Sequence, residues 1–79
     1  MSKLNIISAK KMIKILYVLG FELVRSKGSH HFFIHKEDGK TTVIPVHNNE
    51  DLGSGILKNI LRDIDLDVEE YEKLRKKVR

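Results

Sequence analysis

The stretch FELVRSKGSHHFFIHKEDGKTTVIPV, residues 21–46, decides the fold that this sequence predicts. It holds three runs rich in apolar and β-branched residues, at 21–25, 30–35 and 41–46, and such runs are typical of β-strands. Polar residues with Gly28 separate the first two runs, and polar residues with Gly39 separate the last two. The pattern predicts three antiparallel strands joined by turns. Pro45 cannot donate to a ladder, which favours an edge position for the third strand.

Amphipathic helices are predicted on both sides of these strands. In the first, Ser8 can cap the N-terminus, Gly20 can end the helix, and the apolar residues recur at helical spacing. Gly53 or Ser54 can cap a second helix, and Asp67 with Glu70 resembles the capping box of a short last helix. The apolar positions are Ala9, Met12, Ile13, Leu16 and Leu19 in the first helix, Leu57, Ile60, Leu61 and Ile64 in the second, and Val68, Tyr71, Leu74 and Val78 in the last.

The predicted fold class is α+β. The order α-β-β-β-α, with a further short C-terminal helix, places the helices on one face of a three-stranded antiparallel sheet and leaves the other face open. This order matches the double-stranded-RNA-binding fold. With 79 residues the chain has room for one domain, 1–79. A core this small favours chemistry on a shallow, solvent-accessible face.

Cysteine content, the lack of a long apolar segment and the distribution of charge indicate where the protein works and what it binds. The chain has no cysteine, which excludes disulfides and Cys-based zinc sites and fits a reducing, cytoplasmic location. Lysines interrupt the apolar N-terminal stretch, so no membrane association is predicted. Residues 1–40 hold eight Lys or Arg against three acids, whereas residues 41–79 hold seven against eight. The cationic first half is expected to attract polyanions.

Three lysines lie on the polar side of the first predicted helix, Lys10, Lys11 and Lys14. They are either ordinary solvated lysines or a patch that faces phosphates, and charge alone does not decide between these interpretations.

The four histidines, His30, His31, His35 and His47, all fall on or beside the predicted sheet. Histidine transfers protons near neutral pH, as cleavage of RNA by its own 2′-hydroxyl requires. Strand alternation sets His30 on one face with Ile34, and His31 on the other face with His35. Ile34 makes the face of His30 resemble a core face, whereas residues 27–29 can direct His30 into solvent, so periodicity does not decide between the two faces.

Other interpretations of these histidines remain open. They are structural if they are half-buried in the sheet. A zinc site would need His31 and His35, which lie about 13 Å apart along a strand. A serine nucleophile at Ser29 or Ser54 lacks the glycine pattern of a nucleophile elbow. The acids of the C-terminal helices, for their part, look like capping and solvated charges rather than a carboxylate metal site.

Four blocks of the sequence together resemble the HicA toxin family. They are Gly20-Phe21, the run KGSHH at 27–31, Pro45-Val46-His47, and Leu57-x-x-Ile60-Leu61-Arg62. The spacing of the blocks is family-like over nearly the whole chain. The sequence departs from the family pattern in two places: Glu37-Asp38-Gly39 stands where a Pro-Asp-Gly turn is common, and Gly53 stands where a lysine commonly precedes the second helix.

The resemblance implies a growth-arresting endoribonuclease that cuts messenger RNA and is neutralised by a HicB-like antitoxin. It implies that His30 is the catalytic histidine. We expect Lys27, Gly28 and Ser29 to stabilise the reacting phosphate, and Lys10, Lys11 and Lys14 to bind RNA. No metal and no cofactor are expected. The alternative is a non-catalytic module of the double-stranded-RNA-binding type, whose histidines pack or contact sugar hydroxyls.

Overall fold

The computed structural model describes residues 4–48 and 50–79. Its elements follow the order α-β-β-β-α-α, and the strands form one antiparallel sheet in which β2 is central. The α+β prediction is therefore confirmed. The bounds are α1 Ala9–Val18, β1 Phe21–Lys27, β2 His30–His35, β3 Thr41–Pro45, α2 Ser54–Asp63 and α3 Val68–Lys77.

Helix α1 begins and ends where local signals predict. The Ser8 hydroxyl accepts a hydrogen bond from the Lys11 N–H at 3.2 Å, which satisfies a backbone donor that the first helical turn leaves free. Gly20 follows the helix with φ +95°, a conformation that favours glycine. A Cβ atom at Gly20 would also come within 3.1 Å of His35 Nε2. Both features let the chain turn directly into β1.

Helices α2 and α3 start in different ways. The cap of α2 is Gly53, which contributes no side-chain hydrogen bond. At α3 the Asp67 carboxylate accepts from the Glu70 N–H at 2.8 Å, as half of a capping box. The fully buried Tyr71 of α3 donates its hydroxyl hydrogen bond to the Asn5 carbonyl oxygen, which ties α3 to the segment before α1.

The helices cover one face of the sheet, and that face carries Phe33 rather than Ile34. Phe33 is 1% exposed and its neighbour in register, Thr42, is 3% exposed, with its hydroxyl donating to Asp63 of α2 at 3.0 Å. Periodicity left the choice between the two faces of β2 open, and in the structure the face of Ile34 is not the core face. Each alternate set of β2 contains a phenylalanine, so alternation within the strand does not decide which face is covered; contacts with the helices, such as that of Thr42 with Asp63, accompany burial of the Phe33 face.

Strand β1 contains an irregularity that changes which side chains face the helices. Leu23 is in register with Phe33, but Arg25, rather than Val24, is in register with Phe32. Val24 is thus the extra residue of a β-bulge, and beyond it the alternation of β1 is inverted. As a result Arg25 and Lys27 lie on the open face of the sheet.

The observed bounds of β1 and β3 also differ from the predicted ones. Strand β1 continues through Ser26 and Lys27, which pair with His31 and His30. The turn therefore holds the two residues Gly28 and Ser29 instead of the four, 26–29, that separate the predicted strands. At the other edge, β3 ends at Pro45 instead of Val46. In the described part of the chain no helix is long and apolar enough to cross a membrane.

Candidate functional site

The β1–β2 hairpin closes with the two residues Gly28 and Ser29, between the paired Lys27 and His30. Gly28 has φ +57°, and Ser29 is not in the positive region. Glycine at the first central position of a two-residue loop is typical of a type II′ turn, whose twist matches that of the strands. The hairpin thereby brings the whole KGSHH run to one end of the sheet.

The Ser29 carbonyl oxygen organises this end. It accepts a hydrogen bond from the Val46 N–H at 2.7 Å, so the segment after β3 is held beside the turn. His31 Nδ1 lies 3.2 Å from the same oxygen. A carbonyl can only accept, so Nδ1 carries the proton in this contact and Nε2 of a neutral ring holds the free lone pair. His31 is half-buried and points to the helix-covered face.

His30 has the opposite orientation. It is exposed on the open face of the sheet, in register with Lys27 on one side and Pro45 on the other. His30 is therefore accessible to solvent and has the Lys27 ammonium group on the neighbouring strand.

The remaining histidines lie at different ends of the sheet. His47 is exposed and directly follows Val46, at the turn end. His35 lies at the other end, where its Nε2 donates to the Leu19 carbonyl oxygen at 3.1 Å and its ring packs edge-on against Phe21 at 5.1 Å. Those contacts make His35 a structural residue that fastens β2 to the end of α1.

The second nitrogen of His35 faces a carboxylate. Nδ1 lies 3.3 Å from an Asp38 oxygen, within ion-pair distance, but it makes no hydrogen bond of acceptable geometry. The Lys40 N–H, which donates to Asp38 at 2.9 Å, is the main cause that lowers the pKa of Asp38 below its usual value, and the Lys40 ammonium and His35 add to it. The β2–β3 turn is thus stabilised by an ionised Asp38.

The structure brings only some of the expected RNA-binding residues together. Lys27, Gly28 and Ser29 surround the turn beside His30. Lys10, Lys11 and Lys14 lie on α1, in the helix layer on the other side of the sheet. Lys10 and Lys14 are exposed, and the Lys14 ammonium donates to the main-chain oxygen of Arg79.

The described residues offer neither a metal site nor a pocket at the histidines. Among residues 4–48 and 50–79, no three His, Asp or Glu side chains are grouped closely enough to hold a metal ion. A groove of about 660 Å³ runs between α2 and α3, but none of the four histidines lines it; its lining residues include Leu4, Lys58, Arg62 and Asp65. The histidine site is a shallow face instead of a pocket.

Comparison with known proteins supplies the family. The model of the HicA toxin of bacterial toxin–antitoxin systems matches residues 9–66, more than half of the chain. The chain belongs to the HicA toxin family. The resemblance found in the sequence is thereby confirmed, and the matched range includes every residue of the turn site. As a HicA toxin, the protein is the toxin of a toxin–antitoxin pair and has an antitoxin partner. No curated protein matches the chain.

Sequence reasoning did not single out Phe32 and Arg25. The Arg25 guanidinium carbon lies 4.8 Å above the centroid of the Phe32 ring, on the same face as His30. Phe32 has the same parity as His30, so a signal for it was present in the alternation of β2. Arg25 gave no such signal, because simple alternation of β1 puts it on the helix side and only the bulge moves it across.

Proposed function

We propose that this HicA toxin is an endoribonuclease that cuts messenger RNA with a histidine at the turn end of the sheet. The observation that carries the proposal is that His30 lies exposed beside Lys27 and the Gly28–Ser29 turn, at the end of the sheet where His31 also lies on the opposite face. A folded polymer such as RNA can reach groups on a surface of this kind, whereas a deep pocket would exclude it.

The reaction fits the groups that this surface offers. A histidine nitrogen removes the proton of a 2′-hydroxyl, the 2′-oxygen attacks the adjacent phosphorus, and the bond to the 5′-oxygen breaks as that oxygen takes up a proton. The products are a 2′,3′-cyclic phosphate and a 5′-hydroxyl. The Lys27 ammonium and the backbone N–H groups of Gly28 and Ser29 stabilise the charge that develops on the phosphate.

We propose His30 for the proton transfer; its exposure beside Lys27 and the family resemblance of the KGSHH run support this choice. A specific observation makes His31 its competitor: of the two residues, His31 is the one with a described contact that orients its ring, to the Ser29 carbonyl oxygen. A base held in one tautomer by a second group is the usual arrangement in proton-transfer sites. The two residues are therefore tested together.

The proposal includes further components of the system. Lys10, Lys11 and Lys14 bind RNA outside the cleavage site, and a HicB-like antitoxin neutralises the toxin in the cytoplasm. Catalysis needs neither a metal nor a cofactor.

The decisive experiment is cleavage of a defined messenger RNA by the purified protein, with analysis of the ends. We expect fragments with 2′,3′-cyclic phosphate and 5′-hydroxyl ends, formed at an equal rate with and without EDTA. Activity that EDTA removes and Zn²⁺ or Mg²⁺ restores would overturn the metal-free mechanism. Binding of double-stranded RNA without any cleavage would instead support the alternative, a non-catalytic binding module.

A further inference from the structure

On the open face of the sheet, side chains in register on the three strands form rows that run across the strands. The row nearest the turn holds Lys27, His30 and Pro45, and the next row holds Arg25, Phe32 and Val43. A third row lies farther along the strands, with Glu22, Ile34 and Thr41. Successive rows are about 7 Å apart, because residues two apart on a strand share a face.

Phe32 lies at the centre of this face, on the central strand. Its ring is half-buried, yet it is not among the hydrophobic residues that pack against the core. Its described neighbours on the open face are Arg25 at 4.8 Å and Val43 in register. The ring and the guanidinium above it form a planar, cationic pair on the open face, to which a planar ligand can add by stacking.

From this geometry we propose that Phe32 and Arg25 form a stacking platform for one unpaired base of the RNA strand next to the cleaved bond. The planar guanidinium and the aromatic ring both present π-faces on which a base can stack. A central-strand aromatic residue on an open sheet is also a known way for proteins to hold single-stranded RNA. The inference rests on the proposed function, since it names how that site holds its substrate.

Charge favours RNA over a protein as the occupant of this face. The two rows nearest the turn hold Arg25, Lys27 and His30 and no acidic residue. The acid of the third row, Glu22, is neutralised by Lys36 at 2.9 Å. A basic surface with one aromatic ring suits a strand that alternates phosphates and bases.

The bulge at Val24 is what creates the platform. Without the extra residue, Arg25 and Lys27 would point towards the helices, and the open face would hold Phe32 without its cation. Bulges are found next to active sites, where they redirect a side chain. Phe32 lies one row from His30, so a base stacked on it places a neighbouring phosphate beside Lys27 and His30.

The test uses a fluorescent single-stranded 2′-O-methyl RNA oligonucleotide, which cannot be cleaved because its 2′-oxygens carry no proton. Affinity is measured by anisotropy for wild type, Phe32→Leu, Phe32→Tyr and Arg25→Gln, with Ile34→Ala as the matched control in the third row. We expect Phe32→Leu to weaken binding at least about 5-fold, since it removes a stacked base. Arg25→Gln should also weaken binding, while Phe32→Tyr and Ile34→Ala should stay within about 2-fold of wild type.

The outcomes separate the platform from the proposed function. If wild type cleaves messenger RNA but Phe32→Leu and Arg25→Gln bind the oligonucleotide as Ile34→Ala does, the platform is wrong and the nuclease proposal stands. If wild type neither cleaves nor binds RNA, the proposed function itself fails. If Phe32→Leu binds the oligonucleotide normally but escapes neutralisation by the antitoxin, the face docks a protein and the platform is wrong. Should Phe32→Leu fail to fold, Arg25→Gln against Ile34→Ala decides the matter.

Discussion

Replacing His30 and His31 one at a time by alanine separates the proton carrier from a structural residue. His30 is exposed, so its truncation leaves no cavity and should change the free energy of unfolding by no more than about 0.5 kcal/mol. His31 is half-buried and its Nδ1 contacts the Ser29 carbonyl oxygen. Loss of that hydrogen bond, about 0.5–1.5 kcal/mol, together with some apolar burial gives about 1–2 kcal/mol.

These energies convert into measurable shifts. For a chain of this size, 1 kcal/mol moves the melting temperature by about 4–8 °C, so His31→Ala should melt clearly lower and His30→Ala should not. Loss of the proton carrier should reduce the cleavage rate by about 10²–10⁴-fold. The expected result is therefore that His30→Ala melts like wild type but has lost cleavage and toxicity, while it still binds RNA and the antitoxin.

A third variant controls for orientation. In His31→Asn the amide can still donate to the Ser29 carbonyl oxygen, but it cannot transfer a proton at neutral pH. If His31 is structural, this variant should recover most of the stability that His31→Ala loses, and it should cleave RNA. The reasoning is refuted if His30→Ala still cuts, or if His31→Asn is folded and inactive. The second result would move the proton transfer to the helix-covered side of the sheet.

Three further predictions follow from individual contacts. Replacing Lys27 by Gln should reduce the log–log slope of RNA affinity against salt concentration by about 0.7, and so should the same replacement of Lys10, Lys11 or Lys14. A variant whose slope equals that of wild type would show that the replaced lysine does not contact RNA. Burial raises the pKa of Tyr71 to about 12 from its ordinary 10.0, so the neutral phenol is favoured in the fold. The free energy of unfolding should therefore decline between pH 10 and 12, by at most about 3 kcal/mol. In thermal melts over this range, the melting temperature of Tyr71→Phe should depend less on pH than that of wild type. The pKa of Asp38 is lowered mainly by the Lys40 N–H, so the stabilisation by the Asp38 carboxylate is present above pH 3.8 and is lost as the pH falls below that value. In thermal melts between pH 2 and 5, Asp38→Asn should remove this fall in melting temperature. A fall that is unchanged in Asp38→Asn would be due to other carboxylates.

The order of elements could be predicted because each has a local cause. Ser8 and Asp67 accept from the first helical turns that they cap, and Gly20 takes the positive φ that ends α1. Such interactions span three or four residues, so they are visible in the sequence. The same holds for Pro45, which lies on an edge strand as its missing N–H requires.

The faces of the sheet could not be predicted in the same way. Both alternate sets of β2 hold large apolar residues, and the choice between them depends on contacts distant in sequence, such as Thr42 with Asp63. The bulge at Val24 is likewise a property of the pairing of β1 with β2. No local pattern marks it, because Val24 suits an ordinary strand position as well as a bulge. Consequently the sequence indicated the turn site but not the partner of Phe32.

The positions of His30 and His31 on opposite faces imply two different paths for the RNA strand. On the open face, Phe32 and Arg25 precede Lys27 and His30 in one continuous surface. On the helix side, His31 shares its layer with α1 and therefore with the three lysines of that helix. A strand on one path reaches the other histidine only around the hairpin turn. Comparing the cleavage rates of Phe32→Leu, His30→Ala and His31→Asn distinguishes the paths, because each variant removes a group from one face only. A path on the open face predicts that Phe32→Leu and His30→Ala slow cleavage while His31→Asn does not, and a path on the helix side predicts the reverse.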